Sequence, residues 1–336
     1  MIGKTNVNRR NPAYRVGAVD VSLATVATHT PADYDLDYFN QVNVTSALSN
    51  VIKEMCLGHP FEFTPEEMGN DLTSIPAYLF YKNAMVSKIE IPAAVTAIGA
   101  YAFYDCGATA LKVDLPNLTS VGSNAFANLQ SLTTAYINLP SVADTYNLLY
   151  NAYALESVDL VAVPAMGDYF AYGASKLTHL TVPAGCTSMG TRCLDIPSAA
   201  VTASEVLQLY LKRHAVVDGS GNYVTAPTAF ADNLMGTRTA SKVYIHCPLD
   251  SYLAYKRQLA TTSDNGSLVA RLFVYSDAAV GDSLPSSVSQ VAAGYTGTYS
   301  VAWYTDETHQ IAYAGATADQ AKRYYGVMTV VGETTI

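Results

Sequence analysis

Few residues in this chain of 336 have the types and the spacing that catalysis or metal binding requires. The stretch Asp218–Asn222, which reads DGSGN, contains some of the oxygen ligands of a calcium loop, but neither the closing Glu nor the later ligands follow it. We therefore interpret it as a hairpin turn. Asp33, Asp35 and Asp37 form a short acidic stretch, for which a solvated loop is favoured over a metal site.

The histidines and cysteines do not suggest a reaction centre either. His179 and His246 lie in strand-like patterns, far from any residue at ligand spacing, and we expect each to be solvated or hydrogen-bonded. The five cysteines include no C-x-x-C pair, which indicates reduced thiols, with a Cys186–Cys193 bridge as the alternative. Glycine-rich phosphate loops, H-E-x-x-H and a nucleophile elbow are missing from the sequence. We predict no enzymatic activity, no catalytic residue, no metal and no cofactor.

Composition excludes several classes of protein. Half of the residues are hydrophobic and 14% are charged, which is typical of a folded chain with a large core. The net charge of −9 argues against nucleic-acid binding by the folded body. No apolar run reaches the roughly 18–20 residues of a membrane span. The N-terminus has no hydrophobic segment typical of a secretory signal, so we expect a chain made in the cytosol, or one from which a signal was removed.

Residues 1–35 have no clear periodicity, and four basic residues precede the first acidic residue, Asp20. They are Lys4, Arg9, Arg10 and Arg15. The segment is predicted to be an extended basic arm. It is either a mobile terminus or an anchor that folds onto a partner or a neighbouring subunit, in which case the four cations are candidate binding residues.

Residues 36–71 are predicted to form a helical N-terminal cap. Leu48, Val51, Ile52 and Met55 fall on one helical face. The stretch Thr64–Glu67, which reads TPEE, has the pattern of a capping box. Such a cap would cover the apolar face of the first unit of the array that follows it.

The next part of the chain repeats a short pattern at nearly constant spacing. Strand-like stretches end at Pro92, Pro116, Pro140 and Pro164, each 24 residues after the one before. Alternation around Lys112–Pro116 predicts that Val113 and Leu115 point inward while Asp114 points outward. Each proline ends its strand because it has no N–H to donate to the ladder. A constant period of this kind predicts a solenoid of parallel strands.

An Ala-Phe pair recurs within the repeats. Phe80, Phe103 and Phe126 occur at matching positions, and Tyr150 and Phe170 are candidates for the same role further along. We predict that these rings stack in successive repeats as a column within the core.

The repeated segment IPAAVTAIGAYAFYDCGATALKVDLPNLTSVGSNAFANLQSL resembles BspA-like leucine-rich repeats, with their Pro, Ile-Gly, Ala-Phe and Cys/Asn-x-x-Leu elements. The resemblance covers about residues 72–277. It implies a non-catalytic solenoid used in adhesion or protein binding, since the family occurs on bacterial surfaces, in protists and in phage-encoded proteins. The chain departs from the family in lacking a signal peptide and a wall-sorting motif, and in an interruption at Lys212–Thr225, which is predicted to be a hairpin.

Four polar residues of the repeats are candidates for partner binding because they fall on the outward phase of their strands. They are Lys88, Asp114, Asp159 and His179. Leucine-rich solenoids commonly bind through this face. A plain solvated face explains the same residues, and the sequence leaves both interpretations open.

The repeat pattern ends before residues 276–290, which are rich in Ser, Gly and Pro and are interpreted as a linker. Alternation around Trp303 predicts a small β module over 291–336. The predicted fold is therefore an α/β repeat: a basic arm (1–35), a helical cap (36–71), a leucine-rich-repeat-like solenoid of short parallel strands (72–277) and a C-terminal β module (291–336).

The predicted function is non-enzymatic binding on a surface. A phage virion component, such as a fibre, decoration or host-contact protein, is favoured, and it would be anchored to other virion proteins by the arm. A bacterial cell-surface or secreted adhesin is the alternative, and a glycan-active enzyme in the unassigned modules is the second alternative. Candidate partners are a host-surface protein or glycan, with no nucleic acid and no membrane span, and a homo-oligomer is possible.

Overall fold

The computed structural model describes residues 60–65, 72–197, 204–218, 222–262, 265–292 and 294–335. Within these ranges the main element is one sheet of 13 strands, and smaller sheets lie beside it. No helix in the described part of the chain is both long and apolar enough to cross a membrane.

The strands are short, and most have two to seven residues. In chain order they are β1 (Phe61–Phe63), β2 (Ser74–Ile75), β3 (Val86–Glu90), β4 (Ala97–Ile98), β5 (Ala110–Asp114), β6 (Thr134–Asn138), β7 (Ser157–Ala162), β8 (Ala165–Met166), β9 (His179–Val182), β10 (Ser188–Met189), β11 (Leu207–Leu211), β12 (Val216–Val217), β13 (Tyr223–Thr225), β14 (Ala229–Phe230), β15 (Val243–Pro248), β16 (Leu272–Ala278), β17 (Ser287–Ala292), β18 (Tyr295–Tyr304), β19 (Ala312–Tyr313) and β20 (Lys322–Thr335).

The main sheet follows the repeats and is parallel over most of its width. Its order is β1-β3-β5-β6-β7-β9-β11-β15-β16, and β20, β18 and β17 then continue it with antiparallel pairing. β19 pairs with β18. The C-terminal strands thus extend the sheet of the solenoid through the β16–β20 ladder.

Burial alternates along the repeat strands as the sequence predicts. Val113 and Leu115 are buried, and Asp114 between them is half-buried on the opposite side. Because successive side chains point to opposite faces, one face of each strand packs in the core and the other is left for solvent or a ligand.

The chain returns between strands mainly through turns. Each repeat places residues in the left-handed region of backbone conformation, such as Tyr101 at φ 58° and Asn124 at φ 57°. Asn tolerates this conformation, and its amide adds a contact between repeats: Nδ2 of Asn147 donates to Oδ1 of Asn124 at 3.0 Å. Small parallel sheets, β2–β4 and β8–β10–β14, form on this turn side.

Helices are few in the described residues, so the returns are not helical. One α-helix, α1 (Tyr252–Thr261), follows β15. The described part of the predicted helical cap is residues 60–65, and it contains strand β1, which pairs in parallel with β3. A helical cap is therefore not shown, and most of residues 36–71 lie outside the described residues.

The predicted aromatic column is confirmed for its first three rings. Phe80 and Phe103 have ring centroids 5.2 Å apart, and Phe103 and Phe126 are 5.5 Å apart, both stacked and fully buried. The prediction is wrong for Tyr150, which is half-buried and stacks on Tyr172 at the surface. The buried position one repeat after Phe126 is filled instead by Leu149.

The interruption in the array is a hairpin, as predicted. β12 and β13 pair antiparallel, and the backbone N–H of Asp218 donates to the carbonyl oxygen of Asn222 at 2.8 Å. The tip, residues 219–221, lies outside the described residues. Asp218 Oδ1 also accepts from the backbone N–H of Asn222, so this carboxylate supports the turn.

The glycine of the Ile/Val-Gly pair is required because successive turns approach closely. A Cβ on Gly122 would lie 2.2 Å from the backbone nitrogen of Ala100. Gly122→Ala should therefore lower the free energy of unfolding by about 2 kcal/mol or more, since backbone must shift to relieve the clash. Denaturant unfolding measures this, with Gly185→Ala as the matched control because no atom lies within 4 Å of its Cβ position. Equal losses in the two variants would contradict the close approach.

Candidate binding face

The solvent-facing side of β3, β5, β6, β7 and β9, here called the outward face, contains a shallow groove. Its volume is about 490 Å³. Polar and aromatic side chains line it, among them Lys88, Glu90, Lys112, Thr134, Tyr136, Ser157, Asp159 and Thr181. The first and the last of these residues are 93 positions apart in the sequence. They lie side by side because neighbouring strands pair in parallel with equivalent positions in register.

The N-terminal end of the groove is a cluster of alternating charges. Lys88 Nζ lies 3.6 Å from Glu62 Oε2 and 3.8 Å from Glu90 Oε2. Lys112 Nζ donates to Glu90 Oε1 at 2.6 Å, and this hydrogen bond raises the pKa of Lys112. Pairs this exposed contribute little to stability, so the cluster is free to exchange these contacts for a ligand's charges.

The middle of the groove combines an aromatic ring with hydrogen-bonding groups. Tyr136 pairs in register with Lys112 on one side and with Asp159 on the other. Asp159 is exposed, and Asp114 accepts a hydrogen bond from Asn138 Nδ2 at 2.8 Å. Three of the four predicted face residues, Lys88, Asp114 and Asp159, thus share this surface.

The fourth predicted residue, His179, is held by a distant part of the chain. Its Nε2 lies 2.9 Å from Oε1 of Glu307, and the hydroxyl of Tyr210 donates to Oε2 of the same carboxylate at 2.6 Å. Glu307 belongs to residues 305–311, the cover loop, which connects β18 and β19. This loop closes the outward face where strands β11, β15 and β16 continue it.

At this end of the outward face, two histidines, one of them in the cover loop, are packed among aromatic rings. His246 is fully buried, stacks on Tyr210 with centroids 4.6 Å apart, and its Nε2 bonds Oε1 of Gln208 at 2.8 Å. His309 of the cover loop stacks on Phe273 at 4.3 Å. Burial, followed by the nearby His309, Arg323 and His179, lowers the pKa of His246 to about 3, and burial also lowers the pKa of His309. Both rings are therefore neutral at pH 7.

The remaining chemical candidates form no reaction centre in the described residues. No group of three or more His, Cys, Asp or Glu side chains in that part of the chain could hold a metal ion. Cys186 and Cys193 are free and buried, so the alternative of a bridge between them is wrong. Burial raises the pKa of both thiols, which leaves them protonated and unreactive.

The arm residues Lys4, Arg9, Arg10 and Arg15, and the acidic stretch from Asp33 to Asp37, lie outside the described residues, so their predicted roles stay predictions.

A second surface feature was missed by the sequence reasoning: a stripe of tyrosines on the turn side. Rings stack between successive repeats at 5.1 Å (Tyr78–Tyr101) and 4.9 Å (Tyr150–Tyr172), and the Arg192 guanidinium lies over Tyr172 at 5.7 Å. The sequence contains a pattern that predicts this stripe, because pairs of tyrosines in neighbouring repeats are 22 or 23 residues apart. They are Tyr78, Tyr81, Tyr101, Tyr104, Tyr146, Tyr150, Tyr169 and Tyr172.

Comparison with known proteins identifies the repeat. Residues 73–197 match the BspA type leucine-rich repeat region in six copies. The resemblance to BspA-like leucine-rich repeats found in the sequence is confirmed over residues 73–197, and its extension to about residue 277 stays a prediction.

A crystal structure of a leucine-rich repeat protein from Bacteroides ovatus ATCC 8483 is also similar, with 12% sequence identity and a TM-score of 0.31. The similarity covers 56% of this chain and 55% of that protein, so the chain spans about half the length of the relative. No curated protein matches the chain.

Proposed function

We propose that the chain is a binding protein that holds a macromolecular partner in the groove of its outward face. The observation that carries the proposal is that one part of the outward face is covered while another part of the same sheet is open. The C-terminal part of the face is closed by the cover loop, while the part from β3 to β9 keeps charged, hydroxyl and aromatic side chains accessible. An open polar face on a rigid repeat scaffold favours recognition, because it presents many groups without reorganisation.

The setting that fits the BspA-type repeat is a bacterial cell surface or a secreted protein, as in the adhesin alternative. The virion role favoured on sequence grounds gains no support from the comparisons. Binding is also favoured over catalysis, since the groove pairs its carboxylates with lysines or an asparagine, and Asp159 has no second carboxylate in register with it.

The partner class is a surface protein or glycan with both donors and acceptors. Lys88 and Lys112 can pair with carboxylates or sulfates, Asp159 and Glu90 can accept hydrogen bonds, and the Tyr136 ring can pack against an apolar patch or a sugar ring. A groove with positive, negative and aromatic groups at fixed positions selects partners whose groups match that arrangement. A partner with a different arrangement leaves a charge unpaired.

An array of purified extracellular proteins and defined glycans tests the function. The double variant Tyr136→Ala/Asp159→Lys should bind the best array ligand about tenfold or more weakly, a change of 1.4 kcal/mol or more. Ser123→Lys, an exposed change on the turn side, is the matched control and should bind like the wild type. Equal binding by the double variant and the control would show that the groove is not the site.

A further inference from the structure

The ring of His309, in the cover loop, lies in an aromatic cage on the outward face. It stacks on Phe273 with centroids 4.3 Å apart and meets Tyr304 edge-on at 5.3 Å. Three more rings have their centroids 6.0 to 6.4 Å away, and they are His246, Tyr244 and Tyr325. These five rings belong to β15, β16, β18 and β20. Strands of the sheet therefore build the cage, and the cover loop fills it.

A second side chain of the cover loop, Glu307, contacts the face beside the cage. His179 Nε2 lies 2.9 Å from its Oε1, and the hydroxyl of Tyr210, which stacks on His246, donates to its Oε2 at 2.6 Å. The guanidinium of Arg271 lies 5.5 Å from a ring of the cage and adds a positive charge at its rim. The face thus has a carboxylate subsite, formed by His179 and Tyr210, next to a ring subsite, which is the cage.

The cover loop keeps its own shape through bonds that do not involve the face. Both carboxylate oxygens of Asp306 accept from the backbone N–H of Gln310 at 3.0 Å, and one of them accepts from that of Ile311 at 2.6 Å. The Thr308 hydroxyl donates to the same carboxylate at 2.5 Å. The N–H of Thr305 donates to the carbonyl oxygen of Ile311 at 2.9 Å. Because these bonds lie within the loop, it can turn outward as a unit and leave both subsites without unfolding.

His309 fills the cage imperfectly. Its Nε2 is buried and has no hydrogen-bond partner in the part of the chain that the structure describes. Burial lowers the pKa of His309, which favours the neutral ring. An unpaired buried nitrogen costs free energy, and an apolar ring would fill the same space without that cost. The contact of Glu307 with His179 lies at the surface, where ion pairs contribute little to stability. A ligand with an apolar ring can therefore compete with the cover loop.

We propose that the two subsites bind a segment of a partner protein in which an acidic residue is followed, two positions later, by an aromatic residue such as Phe. The present occupants select this ligand, because the subsites hold the carboxylate of Glu307 and the ring of His309. The cover loop is then an intramolecular competitor that copies the partner's motif. Arg271 at the rim favours an acidic segment over a basic one. This site is distinct from the groove, so it does not depend on the function proposed above.

Fluorescence anisotropy of the full chain with the labelled synthetic peptide TDETFQI tests the proposal. This peptide copies residues 305–311 with Phe in place of His309. Glu307→Ala/His309→Ala, the emptied variant, lacks the competitor, so it should bind the peptide about tenfold or more tightly than the wild type. Gln310→Ala, an exposed change in the same loop, is the matched control and should bind like the wild type. Peptides TDETAQI and TDQTFQI, which lack the ring or the carboxylate, should bind the emptied variant about tenfold more weakly than TDETFQI.

His309→Phe tests the competition in the opposite direction. Phe improves the intramolecular occupant, so this variant should bind the peptide more weakly than the wild type does, and it decides the question if thermal unfolding shows that the emptied variant is unstable. Equal affinity of the peptide for the wild type and for either folded variant, or no binding to a folded emptied variant, would overturn the proposal. Equal binding of the three peptides would do the same. Wild-type dimers that the peptide dissociates would also overturn it, because the ligand would then be the cover loop of a second copy.

Discussion

Replacing Phe103 with Ala should lower the free energy of unfolding by about 3–5 kcal/mol, as is typical when a large core aromatic is truncated. Phe103 is fully buried and contacts rings on both sides: Phe80 at 5.2 Å and Phe126 at 5.5 Å, with Phe63 at 5.0 Å edge-on. The cavity left by the ring would lie within a column, where rigid neighbouring repeats cannot collapse into it. Urea unfolding followed by circular dichroism measures the loss.

The next residue provides the control. Tyr104 is half-buried in the tyrosine stripe and stacks on Tyr81 at 5.3 Å, so it has the same kind of ring contact without full burial. Tyr104→Ala should cost clearly less than Phe103→Ala. If the two losses were equal, ring stacking between repeats would stabilise the solenoid as much as the buried column does.

The parts of the fold that repeat could be predicted from the sequence. Pro92, Pro116 and Pro140 mark strand ends because proline cannot donate to the ladder, and the same local rule holds for β7 and β9, which end just before Pro164 and Pro183. The outward phase of Lys88 and Asp114 follows from the same alternation. Their placement on one face needed no information beyond period and strand direction, since parallel strands in constant register align equivalent positions.

The closed end of the outward face could not be predicted in this way. Glu307 lies 128 residues after His179, and their contact depends on β20 pairing with β16 and so carrying the C-terminal strands back beside the solenoid. No pattern within one repeat encodes that pairing. Tyr150 shows a related limit, because its repeat departs from the pattern and has Leu-Leu-Tyr where the others have Ala-Phe. The aromatic ring of Tyr150 suggested the core position, which Leu149 occupies instead.

Acid should destabilise the closed end of the face because its buried histidines are neutral. The pKa of His246 is about 3 in the folded chain, chiefly through burial, against 6.5 for the free side chain. Between these values the unfolded chain binds a proton that the folded chain does not. Neutral, buried His246 therefore causes no loss of folding stability above pH 6.5. As the pH falls from 6.5 towards 3, proton binding by the unfolded chain progressively lowers the free energy of unfolding. Between pH 7 and pH 4 the loss should be on the order of 3 kcal/mol.

A double variant separates this contribution from that of the carboxylates, several of which also have lowered pKa values, Asp277 and Glu333 among them. His246→Phe/Gln208→Leu removes the titrating ring together with its hydrogen-bond partner, so neither polar group is left unsatisfied. Urea unfolding from pH 7 to pH 4 should then show a shallower loss of stability, by about 3 kcal/mol. Phe273→Leu disturbs the same packing without removing an ionisable group, and it should lower stability while keeping the wild-type slope. An unchanged slope in the double variant would mean that His246 is protonated in the folded chain, and that the cover loop does not keep this end of the face dry.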